Sequence, residues 1–145
     1  MIKSVPLLET LSYADYLLCP NFCICKTAKG EELIFFAYYS KNSVFIEKHI
    51  FDSNTQCEAL ENHTHIFEGV GKKNKEYVTK IGKAIAKNLL KTLTEAFPNK
   101  EFVVFLEVNV KDSTIIRFHQ KWDNEPPYFD VTQSYKDVEI FEFKN

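Results

Sequence analysis

The residues of this 145-residue chain best placed to do chemistry are Glu107, Arg117 and His119, which hold its only Arg and one of its four His. They lie on two β-rich segments joined by Lys111-Asp112-Ser113. With a three-residue loop, Val108 opposes Ile116, Leu106 opposes Phe118 and Phe102 opposes Trp122 on one face, and Glu107 and Arg117 become neighbours on the other. A carboxylate beside an imidazole can tune a general base. The same Glu–Arg pair on a solvated sheet contributes only about 0.5 kcal/mol and requires no function.

Three further constellations stand beside this one. Cys19, Cys23, Cys25 and Cys57, with His63 and His65, are zinc-ligand types. Cys23 and Cys25 fall in an apolar strand, however, and structural zinc sites pair their ligands on turns in two clusters. Small buried hydrophobes are the better reading, and neither a metal nor a cofactor is expected. Between residues 72 and 91, Lys72, Lys73, Lys75, Lys80, Lys83, Lys87 and Lys91 stand against Glu76 alone. Such a stripe suits phosphate contact, but a Lys-rich solvated helix face has the same appearance. Its N-terminal lysines oppose the helix dipole by a few tenths of a kcal/mol each, roughly.

The fourth constellation, Trp122-Asp123-Asn124-Glu125-Pro126-Pro127-Tyr128-Phe129-Asp130, holds the only Trp and the only Pro-Pro. Paired prolines fix an extended backbone and hold Trp122 and Tyr128 at low entropic cost. Residues 121–145 carry six acidic and three basic side chains. A stiff aromatic loop among carboxylates is the design of a binder for a basic protein, with Trp and Tyr as anchors and acid as the steering charge. Closing one end of the core is the alternative use of Trp122 and Tyr128. Gly-x-Ser-x-Gly, His-Glu-x-x-His and Gly-rich phosphate loops are all absent from the sequence, so catalysis has no motif to stand on.

The elements that position these residues follow from periodicity. Residues 5–18 carry Leu7, Leu11, Ala14 and Leu18 at helical spacing and predict a short N-terminal helix. From Phe22 the period becomes two: strands over 22–27, 32–40 and 44–51 form an antiparallel meander, with 33–39 apolar on both faces and so covered on both sides. Residues 52–65 read as a polar connection with a short strand at 65–68. Residues 73–97 form a long amphipathic helix, with Val78, Ile81, Ile85, Leu89 and Leu93 on one arc and Gly82 and Ala86 inside it, where small residues permit close approach to a sheet. Asn74 suits its N-cap and Pro98 ends it. Strands over 101–110 and 114–122 follow, and an acidic edge strand over 137–143 completes the chain. The expected fold is one α+β domain spanning 1–145: an antiparallel sheet of five or six strands with the long helix packed across it.

A chain of this length buries roughly 70% of the surface its unfolded form exposes, so it folds without staples. The net charge of −2 and isoelectric point near 6.1 give no global attraction to nucleic acid. No apolar run suits a leader or a membrane span, so no membrane partner and a cytoplasmic location are expected, with the four Cys reduced.

A small acidic α+β chain with an aromatic, acidic surface and no catalytic motif resembles, in general design, the immunity proteins of contact-dependent inhibition and polymorphic toxin systems. The resemblance implies a bacterial inhibitor that binds and occludes a toxin domain, commonly a basic nuclease. From the residues themselves, Glu107, Arg117, His119, Trp122, Asp123, Glu125, Tyr128 and Asp130 are the partner-binding candidates. An enzyme or ligand-binding domain using Glu107, Arg117 and His119 is the first alternative, and nucleic-acid binding through the helix lysines the second.

Overall fold

The computed structural model describes residues 19–37 and 52–145. The expected N-terminal helix (5–18) and the third strand (44–51) lie outside the described residues. Strands β1 (Phe22–Lys26) and β2 (Glu32–Phe36) form a hairpin, and a short helix α1 (Asn54–Glu61) leads into β3 (His63–Glu68). A single 3-10 turn (Lys72–Asn74) opens the long helix α2 (Lys75–Ala96). Strands β4 (Phe102–Val108), β5 (Ser113–Gln120) and β6 (Glu139–Lys144) complete the chain. The architecture is α+β, and the described residues form two antiparallel sheets: β1-β2, and a four-stranded sheet ordered β3-β5-β4-β6.

Helix α2 forms as its apolar arc predicts, burying Val78, Gly82, Ile85, Ala86, Leu89 and Leu93. They meet Val104, Leu106, Val108, Ile116 and Phe118 from one face of the large sheet. Gly82 sits directly on Leu106: a Cβ there would stand 2.7 Å from Leu106 Cδ1. The missing side chain therefore sets how closely helix and sheet approach. Asn74 occupies the N-cap position, but its side chain donates back to the Val70 carbonyl (2.8 Å) instead of capping.

Residues 52–65 are not a plain connection. Ser53 Oγ accepts from Gln56 N (3.0 Å), and Gln56 Oε1 accepts from Asp52 N (2.8 Å). This is a capping-box arrangement displaced by one residue, and it starts α1. The strand that follows begins at His63 rather than His65 and pairs with β5.

The central hairpin differs from expectation in its register. Phe105 opposes Arg117, Leu106 opposes Ile116 and Phe102 opposes Gln120, two residues away from the register that a Lys111-Asp112-Ser113 loop sets. The connection is longer because Asn109 Oδ1 accepts from the amides of Lys111 (3.1 Å) and Asp112 (3.2 Å), building a side-chain turn. A shift of two preserves which face each side chain takes. Phe102, Leu106, Val108, Ile116 and Phe118 thus stay in the core, whereas Trp122 falls beyond the end of β5. It packs instead against a second cluster of Leu33, Phe35 and Cys57.

Strand β2 is buried on both faces, as its composition demands: Ile34 and Phe36 join the main core, Leu33 and Phe35 the second cluster. Cys25, expected to be a buried hydrophobe, is exposed, and Cys23 beside it is half-buried. Strand β1 covers only one edge of β2 and leaves much of its own surface to solvent.

Candidate functional site

The sheet face opposite α2 carries Phe105, Glu107, Arg117 and His119, and the segment 122–135 folds back across it. Glu107 and Arg117 are diagonal rather than direct neighbours, yet the pair closes: Arg117 Nε and Nη2 both donate to the Glu107 carboxylate, and Nη1 donates to the Ala59 carbonyl (3.1 Å). Tyr128 and Phe129 lie over the guanidinium at 4.8 and 5.6 Å. Phe129 also meets Phe105 edge-on (5.3 Å). Arg117 is 7% exposed and Glu107 9%, so the polar face expected to meet a partner is roofed by the chain itself.

His119 is 1% exposed. Its Nε2 accepts from the Tyr128 amide (3.2 Å), which assigns the ring proton to Nδ1, donating to the Gln120 carbonyl (2.6 Å). Both nitrogens of a neutral imidazole are thus engaged. Burial lowers its pKa, against smaller opposing effects of the Gln120 bond and of Glu125 and Glu142. Glu125 spends both carboxylate oxygens on the first amides of α1, Asn54 N (3.2 Å) and Thr55 N (2.7 Å). A carboxylate at a helix N-terminus satisfies orphan donors and the dipole together.

Glu58 stands on α1, within the segment whose sequence is that of a polar connection. It is fully buried, and four donors converge on its carboxylate: Ile34 N (2.8 Å) and Gln120 Nε2 (2.6 Å) on Oε1, Gln120 N (2.8 Å) and Trp122 Nε1 (2.9 Å) on Oε2. One turn on, Asn62 accepts from Phe36 N (3.1 Å) and donates to the Ile34 carbonyl (2.8 Å). Together they satisfy the edge of β2 that β1 leaves open and tie the small sheet to the large one. Burial pushes the Glu58 pKa above the ordinary glutamic-acid range, while the four bonds draw it back. All four partners donate, which suits a carboxylate. The capping-box spacing Ser53-x-x-Gln56 was the sequence signal for the helix; nothing local marked its Glu as buried.

The 122–131 loop is therefore fastened from within at Trp122, Glu125, Tyr128 and Phe129. Asp123, Asn124, Pro126, Pro127, Asp130 and Val131 remain exposed. Asp130 accepts from the Thr132 hydroxyl (2.6 Å) and amide (3.0 Å) and from Gln133, bonds that hold its pKa below the usual aspartate range. Beside the loop is a cleft of about 490 Å³, whose lining includes Thr55, His119, Trp122, Asp123 and Glu142. Thr55 Oγ1 is buried without a hydrogen-bond partner among the described residues.

The lysines of α2 and of the 3-10 turn before it divide into two groups. Lys75 pairs with Glu139 (2.7 Å), Lys91 with Glu95 (3.9 Å), and Lys83 lies over Phe141 (4.1 Å). Lys73, Lys80 and Lys87 stay exposed, and Tyr77, 62% exposed, stands one turn from Lys73. Among the described residues no three His, Cys, Asp or Glu side chains gather as a metal-ligand set, and no helix is long and apolar enough to cross a membrane. Burial pushes the Cys23 thiol pKa up, and neighbouring Cys25 adds to the rise.

Comparison with known proteins adds no relative: no family model, curated protein or solved structure matches the chain.

Proposed function

We propose that the protein is a non-catalytic binding module that presents the 122–131 loop to a protein partner, acting as an immunity protein that neutralises a toxin domain in the cytoplasm. The observation that carries this reading is the inward fastening of the loop. Trp122, Glu125 and Tyr128 hold it to Glu58, to the start of α1 and to His119. The rim of Asp123, Pro126, Pro127, Asp130 and Val131 is consequently fixed before any partner arrives. Binding then forfeits little loop entropy, and the acidic C-terminal segment steers a basic partner. The division of labour follows: Glu107, Arg117, His119 and Glu125 hold the surface, and Asp123, Asp130 and their exposed neighbours touch.

The test is co-expression with a candidate toxin domain taken from a gene neighbouring its own. The wild-type chain is expected to protect growth and to co-purify with that domain. Asp123→Lys combined with Val131→Lys removes protection without moving the melting temperature. Undiminished protection by that double variant sinks the loop as the interface.

One observation favours a second reading, a small-ligand role for the same end of the molecule. Thr55, whose buried hydroxyl has no hydrogen-bond partner among the described residues, lines the cleft beside Trp122 and His119. A fragment screen read by Trp122 fluorescence, with Thr55→Val as control, separates the two readings.

A further inference from the structure

The edge strand β3 presents His63 and His65 two residues apart. Successive side chains alternate across a strand, so both rings take the same face. Their centroids are 5.5 Å apart. His63 is half-buried and His65 exposed.

The hydrogen bonds decide the tautomer of each ring. His63 Nδ1 lies 2.6 Å from the Leu60 carbonyl, which can only accept, so Nδ1 carries the proton. His65 Nδ1 lies 2.9 Å from Glu68 Oε1 and 3.0 Å from Ser113 Oγ. The Ser113 hydroxyl already donates to Glu68 Oε2 (2.6 Å), so it too accepts from His65. Each imidazole is thus held as the Nδ1–H form, leaving an Nε2 lone pair that engages no hydrogen-bond partner among the described residues. A ring oriented by a carbonyl or carboxylate at one nitrogen and open at the other is the arrangement in which His ligates metals.

We infer that His63 and His65 form a surface site for one borderline divalent transition ion of the Zn2+, Ni2+ or Cu2+ class, bound through both Nε2 atoms. An ion at about 2.0–2.1 Å from Nε2 stands about 3.2 Å from the ring centroid. Two rings 5.5 Å apart then subtend an angle of about 120° at the ion, near tetrahedral. Imidazole nitrogen selects this class over Mg2+ or Ca2+, which take oxygen. Water fills the remaining positions, and Glu68 and Ser113 position His65 without touching the metal. This is a two-ligand site, distinct from the cysteine-containing zinc site considered from the sequence.

The experiment is titration of the full, tag-free chain with NiCl2 and ZnCl2 by calorimetry, with circular dichroism to confirm folding of each variant. The expected result is one equivalent of saturable binding, lost in both His63→Gln and His65→Gln. In Glu68→Gln binding is weakened about tenfold, the usual effect of losing an orienting partner. Equal binding by Mg2+ overturns the assignment, as does binding that survives either His substitution. Loss of binding in Cys23→Ser with Cys25→Ser, both histidines being intact, assigns the ion to the thiols and likewise overturns it. Absence of any saturable binding to the wild-type chain ends it.

Discussion

Glu58→Gln is the sharpest probe of how this fold is held together. In the native protein each oxygen of Glu58 takes one backbone N–H and one side-chain N–H. Glutamine supplies one acceptor oxygen and one NH2 group. Whichever way the amide turns, it satisfies one of the two buried backbone donors and sets N–H against N–H at the other. A buried donor left unsatisfied costs about 1–3 kcal/mol, and that is the expected loss. Glu58→Ala orphans both Ile34 N and Gln120 N, for about 2–6 kcal/mol. The other two donors are spared: Gln120 Nε2 keeps the Glu32 carbonyl (2.8 Å), and the half-buried Trp122 indole can reach water. Against a typical stability of about 5–15 kcal/mol, the Gln variant folds and the Ala variant is marginal. Urea unfolding at pH 7.5, followed by emission of the only Trp, measures both, with an unchanged slope confirming a two-state comparison. A Glu58→Gln loss below about 0.5 kcal/mol would refute the reasoning. It would mean that burial keeps the carboxyl protonated, since a carboxylic acid, like the amide, sets a donor at one of its two ends and an acceptor at the other.

Three further outcomes are expected. Arg117→Met strands the buried Glu107 carboxylate and costs about 3–5 kcal/mol, most of which Glu107→Leu in the same chain restores; thermal melts of both variants check it, and near-equal single and double variants contradict it. His119 has its pKa lowered by burial, so the unfolded chain takes up the proton first and stability falls as pH drops below roughly 6.5. His119→Gln removes that share of the acid sensitivity, read as a flatter stability curve between about pH 5 and 7 than the wild type shows. Glu125→Ala uncovers the first amides of α1 and lowers stability by about 0.5–2 kcal/mol, with the earliest loss of amide-exchange protection at Asn54 and Thr55.

The arrangement of the 122–135 segment explains why uncommon residues crowd this part of the chain. The only Arg, the only Trp and one His all serve one closure. Arg117 and His119 stand on the sheet, Trp122 and Glu125 reach α1, and Tyr128 and Phe129 form the roof. Whatever the rim binds, its shape is set by buried polar contacts, so substitutions beneath it are expected to alter stability before they alter recognition.

Local pattern alone determined much of this protein. The helical arc of residues 73–97, the two-residue period of the strands and the alternation within the 102–120 hairpin are consequences of 3.6- and 2-residue geometry, and they place the core residues on their faces even though the hairpin register differs by two. That Glu107 and Arg117 share a face was legible for the same reason. The tertiary structure alone decided that this face is covered, because a roof comes from residues 122–135, and periodicity contains no term for what packs above a sheet. It also decided that Glu58, in a stretch polar enough to read as a loop, is the most buried charge-bearing group described. A buried carboxylate needs donors to satisfy its oxygens; on Glu58 four converge from distant segments, and that convergence is a property of the assembled chain.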